Sequence, residues 1–169
     1  MTKNWAIVEK GSAIFLVLWG LAALIVQFWQ LSYFYEFGMK YTGMTWADIS
    51  IPKLLLNHGL PFLYALITLF AGTTLLFGKR LGWLVSVAAT CSATINFVRL
   101  LLGLSLIEES APDFSRTLFA IPAVIFATIC VLLLWPPIRE KYAPTVATWW
   151  AIIVLLVLEV ASMVVFSPL

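Results

Sequence analysis

From Leu81 to Leu106 the chain runs for 26 residues with one charged side chain, Arg99. As a helix rising about 1.5 Å per residue, this run exceeds a hydrocarbon core of ~30 Å. Few folds can hold such a stretch. The backbone must satisfy its own hydrogen bonds, so it is helical, and the helix must then accommodate a guanidinium where lipid should be. Ser92, Asn96, Arg99 and Gly103 follow one another at steps of four, three and four. That spacing gathers them within about 60° of one helix face.

The rest of the chain has the same solvent. Of its 169 residues 63% are hydrophobic and only 11% charged, where a soluble domain is roughly half apolar and a quarter charged. The apolar runs predict an all-α integral membrane protein: one domain, residues 1–169, with five transmembrane helices at approximately 11–34, 60–77, 81–106, 117–135 and 146–166. The first run ends in Phe28-Trp29 and Tyr33-Phe34-Tyr35 rather than in a small-residue cleavage site, so it reads as a retained span preceded by a polar start, residues 1–10. Residues 35–57 read as non-spanning, with a short interfacial helix at Ile51–Leu56 capped by Ser50. Gly78-Lys79-Arg80 is a connection so short that the second and third spans must be antiparallel neighbours. Pro122 is expected to kink the fourth span, and Pro136-Pro137 to end it.

Five spans place the termini on opposite sides. The side of the N-terminus carries Lys3, Lys10, Lys79, Arg80, Arg139 and Lys141, and the other side only Lys40, Lys53 and Arg116. The positive-inside rule puts the N-terminus in the cytoplasm and the C-terminus outside, in a cell membrane of the bacterial inner-membrane type. Trp83, Trp135, Trp149 and Trp150 would then form a cytoplasmic aromatic belt, with Trp29 and Trp46 at the outer surface.

Within this frame Arg99 and Glu159 each lie eight residues from the outer end of their spans, about 12 Å inside the boundary. Ser92, Asn96, Arg99 and Glu159 are therefore the candidate intramembrane polar cluster, with Arg99 and Glu159 paired within one chain or between copies. Snorkelling of Arg99 towards the headgroups, or a protonated Glu159, would also relieve the charges. Ser86, Ala88, Ala89, Thr90, Ser92, Ala93 and Thr94 slim the third span, and Ala71-Gly72-Thr73-Thr74 the second. Small residues of this kind let helix backbones approach, so both runs read as packing faces. Asn57 and His58 form an outer-surface candidate that could meet a headgroup, or simply cap the second span. Cys91 and Cys130 read as small buried hydrophobes; a disulfide between their helices would require matched depths, which the span ends do not give.

Chemistry is sparse. A lone histidine excludes bis-histidine haem within one chain. No HExxH, GxSxG, P-loop or GxGxxG motif occurs, so no catalytic residue, cofactor or metal ligand is assigned and enzymatic activity is the weakest reading. No long basic cluster suits nucleic acid. The expected partners are the lipid bilayer and other membrane subunits or further copies. The sequence favours a non-catalytic, accessory or assembly subunit of a membrane complex. The alternatives are a homo-oligomeric channel or transporter with Arg99 and Glu159 in its pathway, or a lipid- or quinone-binding protein with its site near Pro122.

Overall fold

A computed structural model describes residues 3–43, 59–102 and 118–165; side chains at 159–165 and at a few other helical positions lie outside that description. The described residues form helices and connections, with no strand. The helices are α1 (Lys3–Thr42), α2 (Leu60–Leu76), α3 (Arg80–Leu101), α4 (Ala120–Leu134), α5 (Pro136–Tyr142) and α6 (Val146–Val165).

The first helix runs past the expected span, 11–34, at both ends. It runs for 40 residues, because no proline precedes Pro52 and the polar start is as compatible with helix as the apolar run behind it. Residues 35–42, expected outside the span, extend the same rod, which stops at Gly43 in the left-handed conformation (φ 66°). The interfacial helix expected at Ile51–Leu56 lies outside the described residues. Helices α2, α3, α4 and α6 overlap the second to fifth expected stretches, of which 103–106, 117 and 166 lie outside the described residues.

Two proline expectations change. Pro122 is the third residue of α4, in its first turn, where no intrahelical partner is lost, and the helix is interrupted just before it, at Phe119 between helical Leu118 and Ala120. Pro136-Pro137 does end α4, but it also opens α5: the two prolines occupy the first positions of a new helix bent 60° from α4. Trp135 between them is extended (φ −61°, ψ 139°), as a residue before proline must be.

The turn between α2 and α3 is as tight as expected. Gly78 (φ 64°) donates its N–H to the Leu75 carbonyl at 2.8 Å and Lys79 donates to Thr74 at 3.1 Å, a Schellman closure. Gly82 then lets α3 start against the end of α2; a Cβ there would lie 2.4 Å from the Leu75 nitrogen and the Thr74 carbonyl carbon.

Glycines also set the α1–α2 contact. A Cβ on Gly20 would meet the Leu69 nitrogen at 2.8 Å, and one on Gly72 would meet the Val17 nitrogen at 2.7 Å. With Phe28 against Phe62 further along (5.3 Å), the two helices run antiparallel. The expected slim face of α3 is a packing face: Ser86, Ala88, Ala89, Thr90, Ser92 and Ala93 are all buried. Helix α3 sits centrally, against α2, α4 and α6. Its contacts with α4 are antiparallel, Trp83 meeting Leu133 and Phe97 stacking on Phe126. Those with α6 are parallel, Arg80 meeting Thr148 and Trp83 meeting Trp149. Phe15 and Trp19 of α1 close the middle of the bundle by edge-to-face contacts with Phe126 at 5.6 and 5.1 Å.

Two helical stretches, Asn4–Phe37 and Arg80–Leu101, are long and apolar enough to cross a membrane, and α4 with α5 makes a third if the bent pair is one span. Pro61–Leu76 and Val146–Leu158 are apolar but shorter. Trp83 does not join an interfacial belt: it is fully buried in the core, while Trp135 and Trp150 are exposed.

Candidate functional site

The densest polar chemistry lies where α1, α3, α5 and α6 meet, at the end bearing Lys79 and Arg80. Glu9 belongs to the inward stripe of α1 formed by Ser12, Ala13, Leu16 and Gly20, all buried. Its carboxylate is 4% exposed. Lys141 Nζ donates to Oε1 at 2.6 Å and to Oε2 at 2.9 Å, and the Tyr142 hydroxyl donates to Oε1 in a short hydrogen bond. A buried carboxylate is tolerable only with such partners. Burial, and next the Glu9 carboxylate, push the Tyr142 phenol well above its ordinary range, so it remains a donor.

Trp83 holds Tyr142 from the other side, the rings stacked at 5.8 Å and 17°. Its indole N–H donates to the Leu133 carbonyl at 2.8 Å. That carbonyl is free because the residue four positions on is Pro137, which has no N–H to offer. The break at the prolines and the buried tryptophan thus explain each other. On the far side of Trp83, Arg80 Nη2 donates to Thr148 Oγ1 at 2.6 Å and to Thr145 Oγ1 at 3.1 Å. Thr148 Oγ1 also accepts the Thr145 N–H at 3.2 Å, closing the start of α6 in the manner of a capping box.

The expected polar cluster is only partly brought together. Ser92 is buried, and its Oγ has no hydrogen-bond partner among the described residues. Asn96 and Arg99 are half-buried, and Arg99 Nε is buried without a partner among the same residues. Glu159 is in α6, with its side chain outside the described set. Counted from the contacts Trp83–Trp149 and Arg80–Thr148, Glu159 falls about six to eight residues, ~9–12 Å along the axis, short of Arg99. Helical side chains lean towards their own N-terminus, which is the direction in which Arg99 would have to reach. Asn57 and His58 lie outside the described residues.

Glu9, Lys141, Tyr142 and Thr148 were not singled out by sequence reasoning. A signal was available for the first: Glu9 is in phase with Ala13, Leu16 and Gly20, an acid on the apolar stripe of its own helix. Nothing comparable marks Tyr142, whose position depends on the turn at Pro136.

Chemically the Glu9 centre is a clamp. The carboxylate is held by a cation and a phenol, and no nucleophile with an adjacent base forms part of it. No group of three or more potential metal ligands occurs among the described residues. Most threonine hydroxyls are likewise committed: those of Thr68, Thr74, Thr90, Thr94 and Thr128 each bond a carbonyl one turn back in their own helix. No protein-family model matches the chain, and neither a curated protein nor a solved structure matches it.

Proposed function

We propose that the chain is a five-span protein of a cell membrane, N-terminus in the cytoplasm, that serves as a non-catalytic subunit of a membrane complex. The observation that carries this reading is the contrast between its polar and apolar surfaces. The strong polar groups at the Glu9 end are used in joining helices, whereas α1 displays an uncovered aromatic ladder. Trp29, Tyr33, Phe37 and Tyr41 follow at one-turn spacing, the first two pairs stacked at 6.0 and 5.7 Å and the last tilted at 5.0 Å, and are between 50% and 68% exposed. At ~60 Å the rod of α1 is about twice the hydrocarbon thickness, so much of this ladder extends beyond what α2 covers. Rigid aromatic rows are well suited to hold a partner helix or segment. The five-span count is supported by the antiparallel α1–α2, α2–α3 and α3–α4 contacts. Orientation is supported by the gathering of Lys79, Arg80 and Lys141 at one end, with Lys141 Nζ 3.7 Å from the position of a Cβ on Gly78.

The test is a photo-crosslinking amino acid at Tyr33 or Phe37, with Val154 as a lipid-facing control, followed by the native mass of the detergent-extracted protein. A defined heteromeric complex, crosslinked from the ladder and not from Val154, is the expected outcome. A monomer that crosslinks only lipid from both positions would sink the proposal. A second reading, a homo-oligomeric channel, is favoured by four buried polar atoms without partners among the described residues: Gln27 Oε1, Ser86 Oγ, Ser92 Oγ and Arg99 Nε. Such atoms need water or another chain. A closed homo-oligomer that passes ions in liposomes would establish that reading instead.

A further inference from the structure

We infer that Cys91 and Cys130 are a dithiol pair across the α3–α4 seam, closing reversibly to an interhelical disulfide when an organic hydroperoxide is present in the membrane. The register across the seam brackets both residues. Trp83 of α3 is opposite Leu133 of α4, while Ala93 and Phe97 pack against Phe126. Cys91 lies between these α3 positions, and Cys130 between the corresponding α4 positions. The Cys130 thiol is accordingly near enough to the Cys91 and Thr90 side chains to interact with both electrostatically. The mismatch of depths expected from the sequence does not by itself keep the thiols apart: the helices are level where Trp83 meets Leu133, and side chains reach across several residues where Phe97 meets Phe126.

Both thiols are free and half-buried. Exposed Ile95 on α3 and Val131 on α4 flank the seam, so a membrane-soluble reagent can approach from the lipid side. The chain holds no other cysteine to compete. In the first step one sulfur, giving up its proton, attacks the hydroperoxide O–O bond. An S–O bond forms, the O–O bond breaks, and the alcohol leaves with a proton. In the second, the other sulfur displaces the sulfenic oxygen, which departs as water, and the S–S bond forms. Two thiols and one hydroperoxide thus become one disulfide, one alcohol and one water. The sulfurs are oxidised by two electrons and the peroxide is reduced by two.

The experiment uses the full chain, in native membranes and in detergent, with tert-butyl hydroperoxide as oxidant. After denaturation, a maleimide–polyethylene glycol reagent counts free thiols. The reduced protein should take two additions and the oxidised protein none, as a monomer two hydrogens lighter, with both additions restored by dithiothreitol. Cys91→Ala and Cys130→Ala should each keep one addition under mild oxidation. Phenylarsine oxide, which bridges neighbouring thiols without oxidising them, should protect both thiols at one arsenic per chain and fail with either variant. Two additions after oxidation, a crosslinked dimer, or independent gain of oxygen at each sulfur would overturn the pairing. So would arsenical protection that survives in a single-cysteine variant.

Discussion

The clamp at Glu9 rests on two donors of different exposure, and this predicts different costs for losing them. Tyr142 is buried, so Tyr142→Phe leaves an ion with one direct partner fewer and no water in its place. A loss of about 1–3 kcal/mol is expected, read as a lower Tm in detergent. The Lys141 side chain is 39% exposed, which screens its ion pair and lets water re-enter, so Lys141→Met should cost less, about 1–2 kcal/mol. The phenol also sets a pH dependence. Its pKa is raised above the ordinary value only in the folded protein, so the folded state retains the proton when the unfolded state has lost it. The stabilisation is therefore fully present at neutral pH and is lost as pH climbs past about 10, the ordinary phenol value. Thermal melts from pH 8 to 11 should show a steeper alkaline decline for the natural protein than for Tyr142→Phe. Equal slopes would mean that Tyr142 titrates normally.

At the scale of helices, glycine placement separates contacts that must be close from positions that are merely permissive. Gly82→Ala puts a methyl group 2.4 Å from backbone atoms of α2, which cannot rotate aside, and is expected to be the most destabilising of the glycine substitutions, by about 3 kcal/mol or more. Gly72→Ala and Gly20→Ala meet backbone at 2.7 and 2.8 Å and should separate α1 from α2 at a somewhat smaller cost. Gly11 has nothing within 4 Å, so Gly11→Ala should be neutral or gain up to about 1 kcal/mol of helix propensity. Melting all four variants together checks the ranking; an unfolded Gly11→Ala would contradict the packing. These contacts also show which parts of the fold were legible. Apolar length and the Gly78-Lys79 turn located α2, α3, α4 and α6, because lipid permits few other solutions for such runs. The ends of α1 were not legible, since a helix does not stop where polarity changes unless a breaker stands there. Nor was the reversal at Pro136-Pro137, because a proline pair both ends one helix and pre-organises the next. The Trp83–Leu133 hydrogen bond that exploits it is non-local.

For the molecule as a whole, the five-span proposal requires that the charges of Arg99 and Glu159 be satisfied, within one chain or between chains. An unpaired arginine or carboxylate in the core costs at least about 2.5 kcal/mol, so an assembled protein that keeps both must pair or hydrate them. Sequence depth alone made Arg99 and Glu159 level. Counted from the α3–α6 contacts, Glu159 instead falls ~9–12 Å short of Arg99 along the axis, a separation that long side chains can bridge only if Arg99 leans back along α3. Neighbouring copies could satisfy the same charges without that constraint. Charge reversal distinguishes the two arrangements. Arg99→Glu and Glu159→Arg should each lower the yield of folded protein several-fold, measured as the monodisperse fraction after extraction. If the pair is within one chain, the double substitution should recover folding, and co-expression of the two single variants should not. If it lies between copies, co-expression should recover folding as well, through mixed oligomers that contain both variants. Failure of both combinations, with each single substitution still harmful, would mean that the two charges answer to separate partners, and the subunit reading would then look for those partners in another protein.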